Sequence, residues 1–157
     1  MKITRIVSGG QTGADMGGLF AALALDIPTG GYAPKNWMTE TGPYPDLMKF
    51  FGLKETLILG YEHRTELNVY HSDATILFGD LNSPGSRMTS RLIQKFQKPN
   101  LHFDVVKGKV VMIQARREML EWLEKHQVEV LNIAGNRESL NPGIQQCVME
   151  FLIDVLG

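Results

Sequence analysis

The stretch RIVSGGQTGADMGGLF, residues 5–20, passes from an apolar run through glycines and small polar residues into a helical pattern. The β-branched, apolar character of residues 2–9 predicts a strand that stops at glycine. Apolar residues at i, i+3, i+4 and i+7, counted from Met16, predict a helix that runs to about Leu25. A strand, a glycine-rich turn and a helix in this order are typical of a parallel α/β sheet.

The turn between that strand and helix contains more glycine than a simple connection needs. Glycines let backbone N–H groups approach a ligand without a Cβ in the way, and a helix start adds partial positive charge. We therefore interpret the turn as a site for phosphate or another oxyanion rather than as a cramped turn alone. Asp15 is either a carboxylate favoured by the helix dipole or an acceptor for a ligand N–H or O–H. The candidate ligand-binding residues here are Ser8, Gly9, Gly10, Gln11, Thr12, Gly13 and Asp15.

The known nucleotide-binding fingerprints do not match this turn. Gly9 and Gly10 are adjacent, so there is no G-x-G-x-x-G pattern. Gly13 is followed by Ala14 and Asp15, so the Lys and Ser/Thr of a Walker A loop are missing. The turn therefore carries no signature of an ATPase.

Strand and helix patterns alternate through the remaining chain. The predicted strands cover residues 74–80, 100–106 and 128–135, and the predicted helices cover 63–72, the end of 82–97 and roughly 111–126. A last helix follows, with Asn141 as N-cap and Pro142 at its first position. Residues 26–47 show no period and are predicted to form a long loop. The alternation predicts the α/β class, with a mostly parallel sheet and helices on both faces, as one domain over 1–157.

Three predicted strands end in glycine-bearing turns, which we call the first turn (residues 8–13), the second turn (82–86) and the third turn (135–139). We expect all three at the carboxyl edge of the sheet, where open α/β sheets bind ligands. Each further candidate also has a plainer interpretation, namely a solvated helix face, a surface loop or a mobile loop. The further candidate ligand-binding residues are Lys35, Arg64, Thr65, Asn68, Gly85, Ser86, Thr89 and Arg137.

Composition and charge exclude several classes of function. The formal net charge of −1 argues against a general binder of nucleic acids or membrane surfaces. The single cysteine, Cys147, allows no intrachain disulfide, which fits a reducing interior. No apolar run approaches the length of a membrane-spanning helix. We therefore expect a cytoplasmic protein that contacts neither membrane nor nucleic acid.

Metal and nucleophile patterns are weak. The four histidines and Cys147 form no recognised ligand spacing, so no metal site is predicted. Ser8 and Ser86 have no obvious paired base, and no G-x-S-x-G occurs. The residues favour a protein that holds a ligand over one that converts it, so no catalytic residue is assigned.

Several stretches, in this order, resemble the putative molybdenum carrier family: IVSGGQTGAD, IPTGGYAPK, TGPYP, RTELNVYHSDATILF, LNIAGNRES and PGI. That family is a Rossmann-like branch related to the lysine-decarboxylase-like (LOG) proteins. The resemblance spans about residues 5–155. It implies a three-layer Rossmann-like fold, self-association into dimers or tetramers, and binding of molybdenum cofactor (molybdopterin) or a similar phosphorylated ligand. The candidate residues above fall in matching motifs.

Three positions depart from the family pattern. Met16 stands where the family often has Arg, which removes a cation from the predicted pocket. Residues 84–86 read Pro-Gly-Ser where relatives tend to read Gly-Gly-Thr. Arg91 lies near the position of the catalytic Glu of LOG hydrolases, which argues against hydrolysis by that mechanism.

Three hypotheses follow. The first is a non-catalytic protein that carries molybdenum cofactor or another phosphate-bearing pterin or nucleotide-like ligand. The second is an enzyme that acts on a nucleotide or sugar phosphate, such as an N-glycosidic hydrolase of the LOG type. The third is a nucleotide-sensing module that reports to a partner.

Overall fold

The structure is a computed structural model that describes residues 2–157. Its strands are β1 (Arg5–Val7), β2 (Thr29–Gly30), β3 (Tyr32–Ala33), β4 (Met38–Thr39), β5 (Gly42–Pro43), β6 (Lys54–Glu55), β7 (Ala74–Phe78), β8 (Asn100–Phe103), β9 (Val105–Val106), β10 (Lys109–Val110) and β11 (Val130–Gly135). Its α-helices are α1 (Ala14–Ala24), α2 (Pro45–Phe50), α3 (Glu62–His71), α4 (Pro84–Phe96), α5 (Ala115–Lys125) and α6 (Ile144–Leu156).

The central sheet has five strands in the order β2-β1-β11-β7-β8, and every pairing in it is parallel. β11 lies in the middle, where Leu131 pairs with Ile6 of β1 and Ile133 pairs with Ile76 of β7. The chain builds outward from β1 to β2 on one side and from β7 to β8 on the other. The strand order thus reverses around β11, which is where open α/β sheets form their ligand crevice.

Helices cover both faces of the sheet. On one face, Ile76 of β7 and Ile133 of β11 pack in a core with α1, α5 and α6. On the other face, Leu77 packs in a smaller core with Val69 of α3 and Leu92 of α4. Adjacent residues of a strand point to opposite faces, so β7 is buried along its whole length. The predicted three-layer α/β fold is confirmed.

Residues 26–47 are not the irregular loop that the missing period predicts. They contain β2, β3, β4, β5, a 3₁₀ turn and the start of α2. Two-residue strands are too short to show an alternation in sequence. The segment around them is ordered by its own core, in which Met48 and Leu53 pack with Met16 and Leu19 of α1.

Other predicted boundaries shift for local reasons. The strand over 100–106 breaks at Asp104, after which β9 pairs with β10 as an antiparallel hairpin. The helix over 111–126 begins only at Ala115, and the side chain of Val111 is 57% exposed. Asn141 does not cap α6, because its amide donates to the carbonyl of Val105 (2.9 Å) and the helix starts after Gly143. Within residues 2–157, no helix has the length and hydrophobicity to cross a bilayer.

Candidate functional site

A cavity of about 330 Å³ lies where the three glycine-bearing turns meet, beyond the carboxyl ends of β1, β7 and β11. This confirms that the turns share one edge of the sheet. Its volume is at the lower end of the range for small-molecule sites. The lining residues are Gly9, Gln11, Asp15, Tyr61, Arg64, Thr65, Asn68, Ser83, Pro84, Gly85, Met88, Thr89, Asn132, Ile133, Ala134, Gly135, Asn136, Arg137 and Leu140.

The predicted site residues divide into two groups around this cavity. The lining includes Gly9, Gln11, Asp15, Arg64, Thr65, Asn68, Gly85, Thr89 and Arg137. The lining does not include Ser8, Gly10, Thr12, Gly13, Lys35 and Ser86. Ligand contacts by either group stay a prediction, but only the first group faces the cavity directly.

Asp15 and Arg64 form a buried ion pair in the cavity wall. Arg64 Nη1 lies 3.4 Å from Asp15 Oδ2, and each side chain is only 9% exposed. The backbone N–H groups of Gly9 and Gln11 also donate to the Asp15 carboxylate, Gln11 at 3.1 Å. The amides that we expected to hold a ligand oxyanion therefore hold a carboxylate of the protein itself.

Burial shifts the ionisation of both partners. It raises the pKa of Asp15, although the guanidinium of Arg64 and the two backbone N–H groups act in the opposite direction. It also lowers the pKa of Arg64, an effect that the charge of Asp15 opposes. An arginine starts so far above neutral pH that it stays protonated. The pair therefore supplies little net charge to a ligand.

The glycines of the first turn make room for other parts of the protein. A Cβ on Gly9 would lie 1.8 Å from Nη1 of Arg64. Gly13 has a φ of +81°, and a Cβ there would lie 2.4 Å from the carbonyl oxygen of Asn136. At these two positions, close contacts within the protein are enough to require glycine, and a ligand contact at this turn stays a prediction.

Ser8 and Gln11 stabilise the same turn from within. The hydroxyl of Ser8 donates to the carbonyl of Asp15 (3.1 Å) and accepts from the N–H of Gly10 (3.3 Å). The side-chain oxygen of Gln11 accepts from the N–H of Thr12 (3.0 Å). These contacts fix the backbone of the turn, so that its conformation does not depend on a ligand.

The polar stripe of α3 also serves the protein's own chain. Nε of Arg64 donates to the hydroxyl of Thr65 (3.1 Å), which in turn donates to the carbonyl of Tyr61 (2.8 Å). The amide of Asn68 pairs with Tyr32 of β3, accepting from its N–H (2.9 Å) and donating to its carbonyl (3.1 Å). α3 is thereby anchored to the neighbouring β3 segment.

The second turn is more open than the first. Ser83 caps α4, and its hydroxyl accepts from the N–H of Ser86 (3.3 Å). Thr89 donates to the carbonyl of Gly85 (3.0 Å). A Cβ on Gly85 would meet no atom within 4 Å. The N–H of Gly85 lies in the first helical turn, where no intrahelical carbonyl is available, so the cavity gains a free donor there.

Asn136 joins the second and third turns, and sequence reasoning missed it. Its amide accepts from the N–H of Asp80 (2.7 Å) and donates to the carbonyl of Asp80 (3.0 Å) and the hydroxyl of Ser83 (3.2 Å). A Cβ on Gly79 would lie 2.1 Å from its side-chain oxygen. The only signal in the sequence was its place directly after a strand that ends in glycine.

Glu40 is the second missed residue, at the tip of the β4–β5 hairpin. Its carboxylate accepts from the hydroxyls of Thr12 and Ser139 and from the N–H of Ser139 (3.1 Å), and it forms an ion pair with Nε of Arg137 (3.5 Å). Burial acts to raise the pKa of Glu40, but the hydrogen bonds from Ser139 and Thr12 and the charge of Arg137 outweigh it, and the pKa lies below its usual value. Glu40 thus holds the first and third turns together.

Lys35 and Trp37 of the same segment do not line the cavity. Lys35 is half-buried in the 3₁₀ turn that precedes β4. The ring of Trp37 packs against the small core on α1 that contains Phe51 and Leu53. The ammonium group of Lys49 lies over this ring, 5.5 Å from its centroid. The sequence predicted only a long loop here and did not distinguish Glu40 from the other acidic residues.

The cavity combines an apolar wall with few ionised groups. Met88, Ile133, Ala134 and Leu140 contribute the wall, and the side chain of Arg137 is 49% exposed beside it. Asp15 is the one carboxylate among the lining residues, and Arg64 pairs with it. Residues 2–157 contain no group of His, Cys, Asp and Glu side chains able to hold a metal ion. An apolar wall with a few polar and charged groups at its edge is typical of small-molecule binding sites.

Comparisons with known proteins agree with the resemblance seen in the sequence. The model of the circularly permutated YpsA SLOG family matches residues 6–156. A solved structure from Syntrophus aciditrophicus SB, described as a putative molybdenum carrier protein, is 36% identical and superposes with a TM-score of 0.84. The match covers 98% of this chain and 94% of that one. No functionally curated protein matches the sequence.

Proposed function

The chain belongs to the circularly permutated YpsA SLOG family, and from this premise we propose that it binds a small phosphorylated heterocyclic ligand without converting it. Molybdenum cofactor is the first candidate for that ligand, and a nucleoside monophosphate is the second. The similarity to a protein described as a putative molybdenum carrier supports the first candidate.

One observation carries the proposal. The cavity places an apolar wall beside the free N–H of Gly85 and the half-exposed guanidinium of Arg137. An apolar wall suits a ring system, and a helix start with a nearby guanidinium suits a phosphate. The buried pair of Asp15 and Arg64 keeps the floor of the cavity close to neutral, so that it does not repel an anion.

The proposed cargo fits the chemistry of the lining. Thr65, Thr89 and Asn132 offer polar groups for the ring N–H groups and carbonyls of a pterin, and Arg137 offers a cation for its terminal phosphate. The protein's part is to bind, orient and shield this ligand at the sheet edge. Any chemistry of the molybdenum belongs to the cargo.

Binding can be tested by isothermal titration with molybdenum cofactor and with AMP, after mass spectrometry of the freshly purified protein under native conditions. We expect saturable binding of one of them, weakened roughly tenfold by Arg137→Ala because a charged hydrogen bond to phosphate is lost. Arg117→Ala is the matched control, because Arg117 pairs with Glu121 on the surface of α5. Folded protein that binds neither probe saturably would contradict the proposal.

A LOG-type nucleotide hydrolase is the second candidate function. It is favoured by Asp15, a carboxyl group in the cavity wall with a raised pKa, as catalytic acids often have. Product release from a panel of nucleoside monophosphates tests it, with Asp15→Asn as the variant. Turnover that disappears in that variant, while its fold is intact, would replace the carrier proposal by an enzymatic one.

A nucleotide-sensing module and self-association are tested in the same samples. Sedimentation with and without AMP reports the assembly state, for which a dimer or tetramer is our proposal. A ligand-dependent change of that state would favour the sensing hypothesis over the carrier.

A further inference from the structure

Glu40 occupies a set of donors that is suited to a phosphate. We propose that Thr12, Ser139 and Arg137 form an oxyanion subsite at the end of the cavity, and that the phosphate of the ligand competes with the Glu40 carboxylate for it. This inference rests on the proposed function and adds the place of the phosphate and the group that it must displace.

The donors around Glu40 are those of an anion-binding site. They comprise two hydroxyl groups, from Thr12 and Ser139, the backbone N–H of Ser139 (3.1 Å) and Nε of Arg137 (3.5 Å). Both carboxylate oxygens are used, and the Glu40 side chain is only 13% exposed. Hydroxyls, backbone amides and guanidinium groups are also the donors that bind phosphate.

The subsite is continuous with the cavity. Arg137 and Gln11 line the cavity wall, and both contact Glu40: Arg137 through its guanidinium, and Gln11 by accepting the N–H of Glu40 (2.9 Å). The hydroxyl of Thr12 also accepts from the N–H of Glu138 (3.2 Å), which fixes its position in the third turn. Two residues of the cavity wall therefore contact Glu40 directly, so that the subsite adjoins the cavity.

A carboxylate and a phosphate exclude each other from one subsite. Both are anions, and at hydrogen-bond distance from the same donors they would repel each other and overlap. Binding of phosphate to the hydroxyls of Thr12 and Ser139 and to Nε of Arg137 thus requires Glu40 to leave, and the free energy of its contacts is subtracted from the affinity. Glu40 acts as an internal competitor that keeps the subsite closed to weakly bound anions.

The hairpin that carries Glu40 is joined to these turns at one point. Within residues 2–157, the hydrogen bonds that connect residues 38–43 to the first and third turns all involve Glu40. The tip is a two-residue turn, because Thr39 pairs with Gly42. A Cβ on Gly42, which has a φ of +112°, would meet no atom within 4 Å. Release of the Glu40 side chain therefore breaks the side-chain hydrogen bonds that join the hairpin tip to the first and third turns.

The decisive experiment compares AMP and adenosine as probes of the unchanged protein and of the Glu40→Gln variant. Glutamine keeps the size of the side chain but removes the charge that Arg137 and the hydroxyls bind. We expect AMP to bind about tenfold more tightly to the variant. The phosphate then displaces a neutral side chain, which forms no ion pair with Arg137. Adenosine, which lacks the phosphate, should bind both proteins equally.

Glu138→Gln is the matched control, because it removes the same charge from the third turn without touching the subsite donors. Glu138 accepts from the N–H groups of Gly143 (2.6 Å) and Gln145 (3.0 Å) at the start of α6. We expect no increase in AMP affinity in this variant, which separates displacement from a general loss of negative charge. An increase equal to that of Glu40→Gln would overturn the inference.

A second measurement follows the hairpin directly. Trp37 precedes β4, and Trp122→Phe leaves it as the single tryptophan. Its emission should change when AMP binds to this protein, and much less when Glu40→Gln is also present. Equal AMP affinities with and without Glu40→Gln would overturn the inference and leave the proposed function standing. Folded proteins that bind neither AMP nor molybdenum cofactor, with or without Glu40→Gln, would contradict both.

Discussion

The first and second turns carry the same sequence signal, glycine before a helix, and the structure uses them in opposite ways. At the first turn, Gly9 and Gly13 are surrounded by Arg64 and by the backbone of the third turn. At the second turn, a Cβ on Gly85 would meet open space. A glycine therefore reports close approach or conformational need, but the sequence does not say whether the approaching atoms belong to a ligand or to the protein.

The two turns also differ in whether acidic side chains of the protein occupy their hydrogen-bond donors. The first turn is occupied by carboxylates of the protein, Asp15 on its amides and Glu40 on the hydroxyl of Thr12. The second turn has its cap from Ser83 and keeps the N–H of Gly85 free. Groups of the protein itself therefore satisfy the donors of the first turn, whereas the second turn keeps an accessible donor.

The largest expected effect tests the glycines of the two turns against each other. Gly13→Ala should lower the free energy of unfolding by about 4 kcal/mol, because a positive φ and a clash with backbone atoms are both costly. Gly85→Ala should change it by less than about 0.5 kcal/mol, because alanine suits a helix and has room there. Chemical denaturation measures both. Similar losses in the two variants would remove the distinction drawn between the turns.

The next effect tests whether the first turn depends on its buried ion pair. Arg64→Met should destabilise the protein by about 3 kcal/mol, because the Asp15 carboxyl then stays buried without its cation. The double variant with Asp15→Asn should recover part of the loss, since no unpaired charge remains. Denaturation of the two single variants and the double variant completes the cycle. Strictly additive losses would show that the two side chains are not coupled.

The smallest effect tests the two acids of the site by pH. Asp15 has a raised pKa, so its contribution to stability falls as pH rises from its ordinary value through the raised one. Glu40 has a lowered pKa, so its contribution is present above its ordinary value and is lost as pH falls through the lowered one.

Unfolding free energies between about pH 3 and 6 measure this difference. On acidification, Glu40→Gln should lose less stability than the unchanged protein, and Asp15→Asn should lose more. The same slope in both variants would show that the two carboxyl groups sit in equivalent environments. Glu150→Gln, on the exposed face of α6, is the control that should leave the slope unchanged.

The sequence predicted the sheet well where strands are long and wholly buried. The apolar runs that became β7 and β11 were found with their partners α3 and α4, because burial on both faces leaves a continuous apolar signal. It failed where elements have two residues, as in β3, β4 and β5, and where the hairpin of β9 and β10 replaced a longer strand. Such elements depend on contacts made by distant parts of the chain.

The sequence predicted that the three turns meet at one edge of the sheet, but not the hydrogen bonds and ion pairs that join them. The three turns and Arg64 were expected at one edge, and they line one cavity. Glu40 and Asn136 were missed, because their roles come from partners such as Ser139 and Asp80 that lie far away in sequence. Neither residue stands in a pattern that periodicity or turn chemistry detects.

Local chemistry in the sequence was sufficient for the α/β class, for the order of its main elements and for the edge at which they meet, because burial and turn formation act on neighbouring residues. Tertiary packing decided which side chains and backbone groups contact one another at that edge. The sequence SGGQTGAD alone does not show whether its backbone N–H groups face a ligand or Asp15. That depends on the positions of Arg64 and Asn136 in the folded chain. Hydrogen bonds and charges pair by distance in space, and that distance exists only in the folded chain.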